Sequence, residues 1–287
     1  MAENSATPSA LSATAPTARG EPRLRLTGIN KSFGAVKALT DVDFEVYDGE
    51  VVGLVGDNGA GKSTLIKVIA GVNPADSGKI YMAGREVQIG APTDATHLGI
   101  ETVYQDLALA DNLDVVANLY LGREALAPRI PGAGGVLNET EMEVRTLEVL
   151  RQLDVKTLKS VRVPVAALSG GQRQSIAVAK TILRNPTVVL LDEPTAALGV
   201  AQTRQVLNLI RRLRERGLAV VVISHNLADV FEVVDRVIVL RLGRRAGTYD
   251  IRTTTPEQVI GEITGAEFGG AAESGLSAQS GTGMGGH

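Results

Sequence analysis

The stretch VVGLVGDNGAGKST, residues 51–64, constrains this chain more than any other. An apolar run breaks into a loop with glycines at 56, 59 and 61, and the chain from Lys62 to Ala70 then takes helical spacing. Strand, glycine loop and helix in that order belong to a parallel α/β sheet, and Gly56, Gly61, Lys62 and Ser63 fit G-x-x-x-x-G-K-[ST]. Bare backbone at Gly56, Asp57, Asn58, Gly59, Ala60 and Gly61, together with the helix start through Thr64, can wrap phosphate oxygens with N–H groups. In such a loop Lys62 reaches the β- and γ-phosphates, and Ser63 offers an oxygen to Mg²⁺.

Around this loop the pattern predicts strands at LRLTGI, VDFEV and KIYMA, then a loop through GAPTDATHLGI leading to ETVYQD. Helical spacing follows from Asp111 to about Ala127 and from Asn138 to Leu153, separated by PRIPGAGG. Asn138 and Glu141 fit a capping box. LSGGQRQSIAVAKTIL and TRQVLNLIRRLRER read as helices, and the β-branched runs of TVVLLD and AVVVIS suit strands covered on both faces. The fold expected is therefore α/β with a helical insert between the phosphate loop and the last strands.

Composition narrows the function classes. With 29 basic and 32 acidic residues the net charge is -3, which lacks the basic excess of a nucleic-acid binder. The absence of cysteine excludes disulfides and thiolate metal sites. No stretch approaches the roughly 18–20 apolar residues of a membrane span. Residues 1–21 and 268–287, rich in Ala, Ser, Thr and Gly, bury too little to offset ordering entropy and are expected to be disordered.

Several residues at predicted strand ends carry chemistry. Asp192 and Glu193 close VVLLDE, where adjacent carboxylates need partners; Asp192 suits Mg²⁺ and Glu193 suits a general base on water, although Asp192 also suits a helix cap. His225 ends VVVISH and is either an ordinary satisfied histidine or a γ-phosphate contact, the second favoured because α/β sheets bind ligands at the carboxyl ends of their strands. Gln105 in VYQD is a polar surface residue or a ligand to Mg²⁺ or water, made only when the insert swings in. Phe33 is either core packing or a stacking platform for adenine, while RRLRERG and LGRR near Arg244 read as solvated surface.

These segments in this order, GDNGAGKS, YQ, LSGGQ, LLDEP and SH, resemble the ATPase subunit of an ABC transporter. The resemblance covers nearly all of residues 22–267 and implies ATP and Mg²⁺ as ligands. It also implies a RecA-like P-loop core with a β-rich N-terminal subdomain and a helical subdomain inserted over about residues 106–183. Two such modules pack head to tail, which gives LSGGQ a purpose: Ser169, Gly170, Gly171 and Gln172 would face the γ-phosphate of a second chain's ATP. The segment DLALADNLDVVANLYLG would dock transmembrane permease subunits, placing the protein at the cytoplasmic face of the membrane.

NLYLGRE and DEPTAALG look like the monosaccharide importers of the ribose, xylose and fructose type, in which an extracytoplasmic sugar-binding protein completes the complex. A single module predicts a homodimer or a separate second ATPase, and no nucleic-acid partner. One departure stands out: Ala196, Ala197, Leu198 and Gly199 replace the family's usual S-A-L-D, so an aspartate that reaches across the dimer is missing. The alternative expectation is a soluble ABC-type ATPase acting on ribosomes or DNA.

Overall fold

The computed structural model describes residues 20–127, 135–155 and 158–266, so the expectations for both tails and for most of PRIPGAGG lie outside the described residues. Four strands form an antiparallel sheet in the order β2-β1-β4-β5, comprising β1 (Leu24–Phe33), β2 (Val36–Val46), β4 (Ser77–Met82) and β5 (Arg85–Val87). Six form a second sheet in the order β10-β9-β3-β8-β7-β6. These are β3 (Val51–Val55), β6 (Ile100–Val103), β7 (Val188–Asp192), β8 (Ala219–Ile223), β9 (Arg236–Arg241) and β10 (Arg244–Asp250). All pair in parallel except β10, an antiparallel edge.

Eight α-helices accompany the sheets among the described residues: α1 (Lys62–Ile69), α2 (Pro92–His97), α3 (Val115–Tyr120), α4 (Glu139–Gln152), α5 (Gly170–Ile182), α6 (Val200–Glu215), α7 (Leu227–Val233) and α8 (Pro256–Thr264). The central strands divide their side chains between two cores. Val189 and Leu191 of β7 and Val220 and Val222 of β8 join α5, α6 and α7 on one face. Val188, Leu190, Val221 and Ile223 join α1 and the antiparallel sheet on the other. Alternation along a strand buried on both faces is why these runs are apolar throughout instead of every second residue.

From β3 the chain crosses by α1 to the far edge at β6, then returns through β7 and β8 to β9 with its helices on the opposite face. Right-handed crossovers demand this change of face when the direction reverses. The helices that leave the neighbouring strands β3 and β8, α1 and α7, therefore lie on opposite faces, so a crevice opens at the carboxyl end of β3, where the phosphate loop lies.

Two helix expectations needed correction. Within GAPTDATHLGI the chain forms α2, with Pro92 in its first turn and the Asp94 carboxylate accepting from the Gly90 and Ala91 N–H groups. The helix expected over 111–127 is confined to α3: Asp114 accepts from the Ala117 N–H at its start, and Gly122 takes a left-handed φ of 77° just past its end. Asn138 caps α4 as its spacing predicts, accepting from the Glu141 N–H at 3.2 Å.

The loop between β6 and α3 is organised by one fully buried side chain. Asn118 accepts from the Ala110 N–H at 2.7 Å and donates to the Ala110, Leu113 and Asp114 carbonyls at 2.9–3.1 Å. Arg123 adds a weld from the end of α3, donating to the Leu119 and Lys180 carbonyls. Replacing Asn118 with Leu strands the Ala110 N–H, and the expected loss is about 1–3 kcal/mol in the urea unfolding free energy; an unchanged midpoint would show the bonds to be replaceable by water.

Candidate nucleotide site

The loop from Gly56 to Gly61 is pressed between the two sheets. A Cβ on Gly56, whose φ is 152°, would lie 2.2 Å from the Leu240 carbonyl oxygen of β9; on Gly61, with φ 104°, it would lie 2.8 Å from that of Ala38. Only glycine fits this packing. The Gly243 N–H donates to the Ala60 carbonyl at 3.1 Å, and the Gly243 carbonyl accepts from the Thr40 N–H of β2 at 2.7 Å. LGRR, expected to be solvated surface, therefore contains a buttress of the loop: Arg244 and Arg245 are exposed while Gly243 is buried.

No side chain caps the N-terminus of α1, leaving its first N–H groups facing the loop's interior. Lys62 is buried and folds over the loop, its ammonium donating to the Gly56 and Asp57 carbonyls at 2.8 and 3.0 Å. Ser63 and Thr64 open the helix, Ser63 exposed. Unsatisfied N–H groups, bare glycine backbone and an ammonium within one turn fit a polyphosphate, whose negative charge the helix dipole also favours.

At the carboxyl end of β7, Asp192 is half-buried. Burial, with the Glu193 charge beside it, pushes its carboxyl up, while Lys67 and Lys62 pull the other way. Glu193 follows in a left-handed backbone conformation, φ 50°, that costs on the order of 1–3 kcal/mol for a residue with a side chain. Its N–H donates to the Ile223 carbonyl at 2.9 Å, extending the β7–β8 pairing. Its Oε2 lies 2.9 Å from His225 Nδ1, and His225 itself is 71 % exposed. The structure thus brings Glu193 and His225 together at neighbouring strand ends.

Gln105 projects two residues beyond the Val103–Leu191 pair, at the same end of the sheet, and is exposed. Tyr104 beside it escaped the sequence reading. Its phenol is pushed up by burial, against a hydrogen bond with Thr102, and the Asp192 charge adds to the rise. Lys67 is a second omission, legible only as one lysine of a helix. Among the described residues no group of three or more His, Asp or Glu is arranged to hold a metal ion by itself. Mg²⁺ keeps waters and phosphate oxygens around one or two protein ligands, and the half-buried Asp192 carboxylate and the exposed Ser63 and Gln105 are side chains of a chemistry that fits such a shell.

Phe33 is 48 % exposed at the end of β1, which removes the core-packing alternative. LSGGQ lies elsewhere. Ser169 caps α5, accepting from the Gln172 N–H, and Gln172 Oε1 accepts in return from the Ser169 N–H. Gly170 and Gly171 pack on Leu198 and Gln202, where a Cβ would meet atoms at 2.8 and 3.0 Å. These partners differ from those of the phosphate loop. RRLRERG lies on the solvated face of α6 as expected, with Arg212, Arg214 and Arg216 exposed, and on that face Arg211, Arg212 and Arg214 pair with Glu232, Asp154 and Asp235.

The pattern of the ABC transporter family matches residues 39–196. The chain belongs to the ABC transporter family. It is 44 % identical over 248 residues to the fructose import ATP-binding protein FrcA of Rhizobium meliloti, covering 86 % of this chain and 95 % of that protein. It is 44 % identical over 221 residues to the xylose/arabinose import ATP-binding protein XylG of Sulfolobus acidocaldarius, covering 77 % of this chain and 85 % of that one. Against the ribose import ATP-binding protein RbsA 1 of Rubrobacter xylanophilus it is 43 % identical but spans 44 % of that protein. Among solved structures it resembles the ADP conformation of an ATP-binding cassette of an ABC transporter, with TM-score 0.71, 27 % identity, and coverage of 86 % and 96 %. A dimeric post-hydrolysis cassette bound to ADP and Pi matches with TM-score 0.65, 26 % identity, and coverage of 80 % and 100 %.

Within this ABC cassette, the departure at Gly199 has a defined geometry. Gly199 sits at the N-cap of α6 with φ −74° and ψ 163°, and a Cβ there would meet nothing within 4 Å. A Cβ is therefore accommodated, and glycine is not required there by backbone conformation or local packing.

Asp192 supplies a stability test. Its folded carboxyl holds a proton more tightly than the unfolded chain's, so the associated stabilisation is full below about pH 4 and is lost as pH rises through the folded value. At pH 7 the ionised carboxylate costs stability. Asp192→Asn is therefore expected to raise the melting temperature of the nucleotide-free chain at pH 7 and to shrink the further rise given by Mg-ADP. A lower melting temperature without nucleotide would contradict this account.

Proposed function

We propose that this chain is the ATP-hydrolysing subunit of an importer for a monosaccharide. The pairing of Glu193 Oε2 with His225 Nδ1 at 2.9 Å, at strand ends on the switch-point side of the sheet, carries the ATPase reading. The cargo class rests on relatives named for fructose and xylose/arabinose import that match along most of their length.

Lys62 and the N–H groups from Gly56 to Thr64 bind the phosphates, and the exposed ring of Phe33 stacks on adenine. Glu193 takes the proton of the attacking water as its oxygen bonds to the γ-phosphorus and the bond to the β-phosphate oxygen breaks. His225 orients the Glu193 carboxylate and contacts the γ-phosphate. Ser63, Asp192 and Gln105 would hold Mg²⁺, which when bound would supply positive charge beside the phosphate oxygens.

Ser169, Gly170, Gly171 and Gln172 close over the ATP of a second chain, and a homodimer satisfies both sites. The cassette spans residues 22–267, with a helical subdomain at about 106–183 whose leading segment docks permease subunits at the cytoplasmic face. An extracytoplasmic sugar-binding protein completes the complex. Among the described residues no helix is long and apolar enough to cross a membrane. No observation favours the second reading, action on ribosomes or DNA.

Glu193→Gln should lower ATP turnover by about 10²–10⁴-fold, retain ATP binding and elute as a dimer with ATP; turnover at the wild-type rate would remove Glu193 from the role of base. Ser169→Arg and Lys62→Ala chains should each be inactive alone yet regain turnover when mixed, because a mixed dimer holds one intact composite site. Persistent inactivity of the mixture, with mixed dimers demonstrated, would refute the head-to-tail arrangement. Capture of the chain from gently solubilised host membranes should bring a polytopic permease; ribosomal or DNA-associated chains without one would overturn import.

A further inference from the structure

Phe33 belongs to neither core, and its position has to be fixed from its backbone and its exposed edge. The three residues before it are all tied to one short segment, the turn between α1 and β4. The Asn30 carbonyl accepts from the Asp76 N–H at 2.9 Å. The Lys31 ammonium donates to Asp76 Oδ1 at 2.8 Å and to the Pro74 carbonyl at 2.7 Å. The Ser32 N–H donates to Asp76 Oδ2 at 2.6 Å.

Both carboxylate oxygens of Asp76 are thus engaged by successive residues leading into Phe33. The bond from Lys31, and then that from the Ser32 N–H, hold its carboxyl below the usual carboxylate range, so the clamp stays charged at neutral pH. Lys31 is pinned with its ammonium 5.6 Å from the centroid of the Phe33 ring, in cation–π contact with one face. Its side chain is 15 % exposed, against 46 % for Asp76. With a cation settled on one face, the other is the face left for a base.

The turn that carries Asp76 leaves the C-terminal end of α1, the helix whose first residue is Lys62. The phosphate cradle and the platform of Phe33 are therefore joined through α1 and residues 70–76, in addition to the β1–β2 hairpin. We propose that Asp76 is a positioning residue for the base half of the nucleotide site: it sets the height and tilt of Phe33 over the phosphate loop and keeps Lys31 on the far face of the ring. This rests on the reading of Phe33 as the platform for adenine, and the ligand feature it serves is the purine base, not the phosphates.

The experiment titrates the full chain by calorimetry with Mg-ADP and, separately, with Mg-tripolyphosphate, which has the charge of a nucleotide tail and no base. Base–aromatic stacking is worth about 1–3 kcal/mol, so Phe33→Ala is expected to weaken ADP binding by about 5–150-fold. Asp76→Asn is expected to weaken ADP binding by about 3–10-fold, leave tripolyphosphate binding unchanged, and have no further effect in the Phe33→Ala background. Independent effects would multiply, so the last result separates positioning from general loosening.

If Asp76→Asn leaves ADP affinity intact while Phe33→Ala lowers it, the clamp is refuted and the platform stands. Should Phe33→Ala itself leave ADP affinity intact, the platform reading fails and the clamp with it. Equal weakening of ADP and tripolyphosphate by Asp76→Asn would mark a general structural defect and also refute the proposal.

Discussion

The contact between the backbone at Gly56 and the Leu240 carbonyl is the constraint around which the site is built. A phosphate cradle has to offer N–H groups with no side chain in the way, yet a bare glycine loop in solvent would be too mobile to hold them in place. Here β9 presses on Gly56 from one side, and the Ala38 carbonyl of β2 presses on Gly61 from another. Gly243 bonds to the loop at Ala60 and to β2 at Thr40, so the turn between β9 and β10 locks the loop to the antiparallel sheet. Rigidity comes from the two sheets, and the glycines are what let the sheets come close.

The same end of the sheet concentrates charge that the fold does not want. Asp192 is half-buried next to Glu193, and both are acidic, so their charges are unfavourable in a way that Lys67 and Lys62 only partly offset. Glu193 also carries backbone strain in its left-handed conformation. A divalent cation and a polyphosphate entering this crevice would engage the carboxylates and the N–H groups at once. Binding can then recover what folding gave up, a pattern expected where function competes with stability.

Legibility in the sequence followed the range of the interactions. VVGLVGDNGAGKST declares its strand, loop and helix because every determinant lies within fourteen letters, and α1, α4, α5, β7 and β8 were readable from periodicity and caps in the same way. What failed was non-local or turned on a single residue. Gly122 ends α3 early, and Pro92 with Asp94 starts α2 inside a stretch that reads as loop. Gly243 is remote in sequence from Ala60, whose carbonyl it meets, so LGRR gave no hint of its role. The arginines of α6 are solvated as their run suggests, but their partners Glu232, Asp154 and Asp235 are brought to them by tertiary packing and could not be read from it.

The glycines of LSGGQ meet two demands at once, which bears on how two sites could communicate without the usual aspartate at position 199. Bare N–H groups at a helix start suit a phosphate, and Gly170 and Gly171 also lie close against their own chain, where an added Cβ would come to 2.8 Å from Leu198 Cδ2 and 3.0 Å from Gln202 Cβ, so that these side chains would have to shift to admit one. Leu198 lies at the end of the segment that begins at Glu193, and Glu193 and Ala197 in that segment both adopt left-handed φ, 50° and 58°. A segment with two such residues has few low-energy alternatives, so it transmits a displacement better than it absorbs one. Under the two-chain arrangement, a shift of the α5 start as it closes on the partner's γ-phosphate would press on Leu198, and through that segment on the carboxylate of the chain's own site. Under that arrangement, the close packing of Gly170 and Gly171 on Leu198 and Gln202 would supply a link from one nucleotide to the other that does not require a side chain at Gly199.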